Sequence, residues 1–233
     1  MSAIPRFMTR RPTSVVQFEV MARRIVLPDT AVEFACVDGQ IDIIGPMTVA
    51  RPSSYAVGSR VQLLSLDPVT ASSLLGLPLA LLTDRIVHLG DISSTIVDQL
   101  ADGFAEGRIA DRLMPQAFAD LRPDARAASA ASLLAKGRSV AQTAGAVNLG
   151  DRQFTRWFHR QLGMHPKRFQ RIVRLRRALL AAKQGEPLAA VAADEGFADQ
   201  AHFNREVRAL TGGAPRTILP DVGNVQDVAM PLG

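Results

Sequence analysis

A repeat in the C-terminal half is the feature that most limits how this chain can fold. The segment RQFTRWFHRQLG, residues 152 to 163, has a partner 49 positions later in AHFNREVRALTG. Phe154, Arg156, Phe158, Gly163 and Pro166 return there as Phe203, Arg205, Val207, Gly212 and Pro215. Ahead of them, Val140, Ala144 and Leu149 return 48 positions later as Leu188, Ala192 and Phe197. Such agreement in order and spacing indicates one structural unit that occurs twice.

Each copy is predicted to contain two short helices joined by a tight turn. A small alanine at the middle of the first helix would let the second helix cross it closely, and Leu149 or Phe197 would fill the space at the turn. This is the pattern of a helix-turn-helix unit. The change of offset from 48 to 49 predicts a second turn that is longer by one residue. Apolar residues at three- and four-residue spacing predict helices over 125–136, 139–147, 151–162, 166–183, 187–195 and 199–211.

The second helix of each copy separates apolar from polar residues. The apolar stripe of the first copy is Phe154, Trp157, Phe158 and Leu162, and its basic stripe is Arg152, Arg156 and Arg160. Taken alone, this helix could also lie against water or on a membrane surface. The repeated turn favours a helix that reads nucleic acid, with the aromatic residues facing inward and Trp157 at the core or its rim.

Between the two copies runs the segment HPKRFQRIVRLRRALLAAK, which predicts one longer helix. It begins at Pro166 and ends before Gly185, and over 166–183 it would be about 27 Å long. Successive major-groove segments lie about 34 Å apart along one face of B-DNA. The two units could therefore contact adjacent segments of the groove.

Charge is concentrated in the same half of the chain. Residues 123–220 contain 16 Lys and Arg against 7 Asp and Glu, a net charge of +9, whereas the rest carries 11 against 15, a net charge of −4. Such a division indicates a module that binds a polyanion, joined to a domain of another kind.

Residues from about 126 to 219 resemble the C-terminal DNA-binding domain of the AraC/XylS family of bacterial transcription regulators. The resemblance covers both helix-turn-helix units, the RLRRALL core of the connecting helix and the block GFADQAHFNREVRALTGGAP. It implies a sequence-specific regulator of transcription that binds double-stranded DNA, more often as an activator. The residues expected to contact DNA are Arg152, Gln153, Thr155, Arg156, Arg160, Lys167, Arg168, Gln200, Ala201, His202, Asn204, Arg205 and Arg208.

The N-terminal half has a different pattern. Short runs rich in Val and Ile over 24–67, broken at Asp38-Gly39 and Gly45-Pro46, predict a small antiparallel sheet. Residues 68–120 have a helical pattern, and 1–20 an arm or an edge strand. The predicted class is α+β: an N-terminal domain over 1–122, an all-α DNA-binding domain over 123–220 and a flexible tail over 221–233.

The stretches LPDTAVEF, IIGPMT and LDPVTASSLLGLPLALLTDRIVHLGDI resemble an uncharacterised domain that is often fused to such regulators. This resemblance implies a regulatory or dimerising domain with no chemistry attached. Further partners to be expected are RNA polymerase, a small-molecule effector and a second copy of the chain.

Cysteine and histidine content argues against an enzyme. Cys36 is the only cysteine and lies in an apolar stretch, where a buried small side chain is the simpler interpretation. The four histidines show no metal-binding spacing, so no metal or cofactor is expected. A DNA-repair enzyme fused to the same module would need several cysteines. Asp29 and Glu33 are interpreted as turn and strand residues rather than an acid–base pair.

Two further expectations follow from hydropathy. The longest apolar run, Leu74 to Leu82, contains Gly76 and Pro78 and is far shorter than a bilayer span of about 20 residues. The N-terminus lacks the continuous apolar core of a signal peptide. We therefore expect a cytoplasmic protein, with an architectural DNA binder that senses no effector as the alternative function.

Overall fold

The computed structural model describes residues 15–21, 25–92, 98–99, 102–104 and 121–221. The strands of the N-terminal part are β1 Val15–Glu19, β2 Ile25–Val26, β3 Val32–Val37, β4 Gln40–Ile44, β5 Arg51–Pro52, β6 Arg60–Leu66 and β7 Ile86–His88. Its first helix is α1 Pro68–Leu75, and 3-10 turns lie at Leu79–Leu81 and Leu89–Asp91. The C-terminal helices are α2 Ala125–Ala135, α3 Val140–Ala146, α4 Asp151–Leu162, α5 Pro166–Lys183, α6 Leu188–Asp194, α7 Gln200–Thr211 and α8 Pro215–Ile218, followed by a 3-10 turn at Leu219–Asp221.

Five strands form one antiparallel sheet in the order β1, β6, β3, β4, β7. Asp38 and Gly39 join β3 to β4 with φ angles of 50° and 80°, as a two-residue hairpin turn requires. Alternate residues of β3 enter different cores: Phe34 and Cys36 pack with α1, whereas Ala35 packs on the opposite face, beside the β2–β5 ribbon. The predicted antiparallel sheet is thus confirmed, and so is the burial of Cys36, which raises the pKa of its thiol.

The predicted helical character of 68–120 is confirmed for α1 and is wrong for β7. Ile86 and Val87 instead pair with β4 at the edge of the sheet, because β-branched residues suit a strand that has a partner. Asp84 turns the chain into this strand with a φ of 57°, and its carboxylate accepts hydrogen bonds from the amide and hydroxyl of Thr48, both at 2.7 Å. Most of the rest of that prediction, over 93–97, 100–101 and 105–120, lies outside the described residues.

The two ends of the chain are partly described. Strand β1 lies at an edge of the sheet, which confirms the edge strand predicted within 1–20; residues 1–14 fall outside the described ranges. The prediction of a flexible tail concerns 221–233, of which the structure describes Asp221 alone.

Helices α2 to α7 agree with their predicted bounds to within one residue at each end, whereas the short helix α8 had no predicted range. Local signals explain this agreement. Ser139 and Gln142 form a capping box at the start of α3, Pro166 occupies the first turn of α5, and Gly163 and Gly212 end α4 and α7 with φ angles of 80° and 77°.

Helix α5 takes part in two separate hydrophobic cores. Its first half supplies Phe169, Ile172 and Val173 to the core of α2, α3 and α4, which we call unit one. Its second half supplies Leu175, Ala178, Leu179 and Ala182 to the core of α6, α7 and α8, which we call unit two. One continuous helix therefore joins the two units and is buried in both.

The N-terminal domain packs against both units. Val69 of α1 belongs to the core of unit one, and the 3-10 turn Leu79–Leu81 lies against α4. Leu27, next to β2, belongs to the core of unit two. The hydroxyl of Thr83 donates a hydrogen bond to the carbonyl of Gly163 at the end of α4.

The two helix-ending glycines allow a matched test of this packing. A Cβ at Gly163 would lie 2.7 Å from Oγ1 of Thr83 and 3.1 Å from the carbonyl oxygen of Leu79, whereas a Cβ at Gly212 would meet nothing within 4 Å. Gly212→Ala should cost ~1–2 kcal/mol from its left-handed backbone alone. Gly163→Ala should cost about 1–3 kcal/mol more, because the N-terminal domain would have to shift.

Urea denaturation of the two full-length variants measures this difference. Equal costs for the two substitutions would contradict the contact between Gly163 and the N-terminal domain.

Candidate DNA-binding interface

The turns of the two units are built in the same way. In unit one the amide of Leu149 donates to the carbonyl of Ala144 at 2.9 Å, and in unit two the amide of Phe197 donates to that of Ala192 at 2.8 Å. Both alanines have no exposed surface, as a close helix crossing requires. The turn of unit one spans residues 147–150 and that of unit two 195–199, so the second is longer by one residue, as predicted.

The inward stripe of the first recognition helix, α4, is aromatic. Phe158 packs between Phe154 and Phe169, with ring centroids 5.5 and 5.3 Å apart. Trp157 is half-buried at the rim of this core, and the guanidinium of Arg126 lies 6.0 Å from its ring centroid. The predicted core or rim position of Trp157 is therefore confirmed.

All the residues predicted to contact DNA lie outside the cores. Those that are exposed are Arg152, Gln153, Arg156, Arg160, Lys167, Gln200, Ala201, Arg205 and Arg208. Those that are half-buried are Thr155, Arg168, His202 and Asn204. Residues of α4 and α7 thus form two polar faces, one on each unit, with Lys167 and Arg168 at the start of α5.

The half-buried residues of this set differ in the hydrogen bonds that their side chains make within the protein. The hydroxyl of Thr155 donates to the carbonyl of Asp151 at 2.9 Å. Nδ1 of His202 accepts from the amide of Ala198 at 3.2 Å, and its ring packs edge-on against Phe197. The side-chain oxygen of Asn204 is buried and accepts no hydrogen bond within the described part of the chain.

The recognition helices begin differently. Gly150 caps α4 without a side-chain hydrogen bond, whereas the carboxylate of Asp199 caps α7 by accepting from the amide of His202 at 2.5 Å. The start of α4 therefore keeps more unpaired amides, which suit a phosphate group.

Several arginines of α5 tie it to unit two. Arg171 makes a two-bond ion pair with Glu206 of α7, at 2.6 and 3.0 Å. Arg174 lies 4.4 Å from the ring centroid of Phe197, and Arg177 pairs with Glu195 at 2.6 Å. Sequence reasoning treated this basic stretch as part of the family pattern and did not find these structural roles. The sequence feature that could have indicated these ion pairs is Glu206, an acidic residue next to the apolar stripe of α7.

Glu206 is ionised in the folded chain at neutral pH. Burial alone would raise its pKa, but the hydrogen bonds and charge of Arg171, with the charges of Arg174 and His202, lower the pKa overall. The hydrogen bonds from Glu206 in turn raise the pKa of Arg171. The pair thus stabilises unit two while Glu206 is charged.

Two histidines lie side by side where α4 ends and α5 begins. The rings of His159 and His165 stack with centroids 4.5 Å apart, and burial, then the neighbouring His165, lowers the pKa of His159. Across the described ranges, no group of three His, Cys, Asp or Glu side chains is placed to hold a metal ion.

A cleft of about 340 Å³ lies beside the contact between α1 and unit one. Its apolar wall includes Val69, Leu77 and Pro78, and its polar wall includes Ser73 and Arg160. Arg160 lies on α4, so the predicted DNA-contacting face of the first recognition helix extends to the edge of this cleft.

Two helix-turn-helix units with exposed polar faces, joined by one shared helix, define a DNA-binding domain. Residues 143–219 match a protein-family model described as a helix-turn-helix domain, of the AraC type. The match assigns residues 143–219 to a DNA-binding helix-turn-helix domain of the kind found in AraC-type regulators of transcription.

Solved structures of ToxT from Vibrio cholerae have a similar fold. The apo form of a ToxT variant with one lysine replaced by alanine is 15% identical, covers 89% of this chain and 97% of its own, and gives a TM-score of 0.50. ToxT from strain O395 is 14% identical, covers 91% and 97%, and gives 0.48. Wild-type ToxT bound to an unsaturated fatty acid is also 14% identical, covers 91% and 95%, and gives 0.47. No curated protein sequence matches the chain.

No helix within the described residues is both long and apolar enough to cross a bilayer.

The ion pair of Arg171 and Glu206 predicts a pH-dependent contribution to stability. Because the folded pKa of Glu206 is lowered from its ordinary value of 4.5, this contribution is present above that value and is lost as the pH falls through the folded pKa. Glu206→Gln should reduce the free energy of unfolding by about 1–2 kcal/mol at pH 7, discounted because Arg171 is partly exposed. The difference from wild type should shrink towards pH 3, about one and a half units below the ordinary pKa.

Denaturation of both proteins between these pH values measures the effect. The matched control is Asp194→Asn, which removes an exposed carboxylate from the same unit and should have little effect. A difference for Glu206→Gln that does not change with pH would contradict the role of the charge.

Proposed function

We propose that this chain is a sequence-specific regulator that inserts α4 and α7 into adjacent major-groove segments of one DNA duplex. The supporting observation is the repeated unit: each copy has the same turn hydrogen bond and an exposed polar face, and both copies are anchored on α5. With its 18 residues, α5 is about 27 Å long, comparable to the ~34 Å between groove segments.

The two units would contribute unequally. Arg152 and Arg156 of α4 are exposed and can each form a two-bond contact with guanine, whereas Lys167, Arg168 and Arg160 suit phosphate contacts. Unit two offers amide groups and fewer cations: Gln200, Asn204, Arg205 and Arg208, with His202 partly occupied by its contact to Ala198. Unit one should supply more of the affinity.

The N-terminal domain would regulate this binding. It contacts both units and borders the cleft beside Arg160, which supports a site for a small-molecule effector between α1 and α4. A screen for compounds that change the DNA affinity of the full chain would identify such an effector. We also propose that the chain activates transcription through RNA polymerase and forms a homodimer through this domain. It would act in the cytoplasm, where the DNA is.

The same observations favour a regulator over the alternatives. An architectural DNA binder would not need a domain with its own core packed against both units. An alkyl-transfer enzyme would need more thiols than the one cysteine in the sequence, which is buried. We therefore propose a non-enzymatic role.

Selection of bound fragments from genomic DNA by the full chain tests the proposal. We expect enrichment of one sequence pattern and an affinity that falls steeply with salt, because phosphate contacts release counterions. Binding without sequence preference would support the architectural alternative, and no binding would overturn the proposal.

Single arginine substitutions test the contribution of each unit. Arg156→Ala and Arg205→Ala should each weaken binding to the selected site by about 1–3 kcal/mol, without a change in thermal stability. The matched control is Arg85→Ala, which removes an exposed arginine of the N-terminal domain and should leave the affinity unchanged. Fluorescence anisotropy gives the affinities, and loss of folding in the two variants would instead assign these arginines a structural role.

A further inference from the structure

The N-terminal domain holds both recognition helices at their C-terminal ends. The carbonyl of Gly163, which ends α4, accepts a hydrogen bond from the hydroxyl of Thr83. The carbonyl of Leu210, in the last turn of α7, accepts one from the amide of Ala50 at 3.0 Å. The last carbonyls of a helix have no partner within it, so here one domain satisfies such a carbonyl on each recognition helix.

We propose that Leu27 and Asp29 are positioning residues for the second recognition helix. They would fix the orientation of unit two relative to unit one, so that the chain accepts one spacing between the two DNA segments that it contacts. This inference rests on the proposed function.

Leu27 fastens the N-terminal domain to the core of unit two. Only 6% of its surface is exposed, and it packs in one cluster with Leu179 of α5 and Phe203 and Val207 of α7. Ile25, from the same segment, packs at the edge of this cluster. A side chain buried in the core that α5 and α7 share resists movement of unit two relative to the N-terminal domain.

Asp29 adds a directional contact to the same surface. Its Oδ2 lies 2.7 Å from a guanidinium nitrogen of Arg176 on α5, and the side chains are only 10% and 18% exposed. Asp29 is itself fixed, because its Oδ1 accepts from the amide of Ala31 and its backbone exchanges two hydrogen bonds with Met47. A rigid carboxylate facing a nearly buried arginine specifies position more strongly than an exposed ion pair would.

These contacts matter because a single helix otherwise connects the two units. Bending of α5 between Val173, in the first core, and Leu175, in the second, would change the angle and distance between α4 and α7. The N-terminal domain spans this point, with Thr83 on one side and Leu27 and Asp29 on the other. Bending would therefore have to break contacts at one end.

The test compares DNA spacing preferences in the full chain. The strongest duplex from the genomic selection is used as found, and with one base pair inserted or removed between the two contacted segments. The variants are Leu27→Ala, Asp29→Asn and Arg176→Gln. Asp29→Asn keeps an oxygen for the amide of Ala31 while removing the charge. The control is Asp42→Asn, whose carboxylate pairs with His88 in the N-terminal domain, away from unit two.

We expect wild type and the control to lose about tenfold in affinity on the altered duplexes, equivalent to ~1.4 kcal/mol. The three variants should lose clearly less, so their spacing preference is relaxed. Exchanging the charges in Asp29→Lys with Arg176→Glu should restore part of the preference that either single change removes. An unchanged spacing preference in Leu27→Ala and Asp29→Asn overturns the inference.

Hydrogen exchange of the DNA-free proteins gives a second readout that does not depend on DNA. Amides of α6 and α7 should exchange several-fold faster in the variants, whereas those of α3 and α4 should not change. Faster exchange with an unchanged spacing preference means that the contacts only stabilise unit two, which also overturns the positioning role. If wild type binds no DNA, the proposed function fails, and unchanged exchange in the variants would separately show that Leu27 and Asp29 do not hold unit two.

Discussion

The shared burial of α5 is the constraint on which the rest of the C-terminal structure depends. Its first half completes the core of unit one and its second half that of unit two, so neither unit closes without it. A helix buried on this scale has little surface left for DNA, which explains why Arg171, Arg174 and Arg177 contact Glu206, Phe197 and Glu195 instead. Basic residues within this domain are therefore divided: Arg171, Arg174 and Arg177 hold α5 to unit two, whereas Arg152, Arg156, Arg205 and Arg208 on the recognition helices stay exposed.

The two copies of the repeat share the residues that set the backbone geometry of each unit and differ at other positions. The alanine at the crossing, the turn hydrogen bond and the glycine that ends the recognition helix occur twice, because each depends on close backbone approach or a left-handed backbone. Positions that do not set the backbone geometry differ between the two units. The cap is Gly150 in one unit and Asp199 in the other, and the central side chain is Phe158 in one and Val207 in the other.

The helices of the C-terminal half could be predicted closely because their signals are local: periodicity, capping residues and breakers all lie within a few residues of each end. Strand β7 could not, since Ile86 and Val87 become a strand only by pairing with β4, more than forty residues earlier. Contacts between domains were missed for the same reason. Nothing in the sequence around Asp29 or Arg176 indicates that these two side chains meet, and their pairing depends on how the sheet docks on α5.

The positions of the interdomain contacts limit how regulation could reach DNA. Thr83 and Ala50 bind the C-terminal ends of α4 and α7, whereas Arg152 and Gln200 lie in the first turns of the same helices. A helix transmits displacement along its length with little loss, since its own hydrogen bonds keep it stiff. A small shift of the N-terminal domain would therefore tilt both recognition helices together without any contact between that domain and the bases. Because one domain contacts the ends of both recognition helices, a change in how it docks would alter the relative geometry of the two helices more than the side chains that either helix presents.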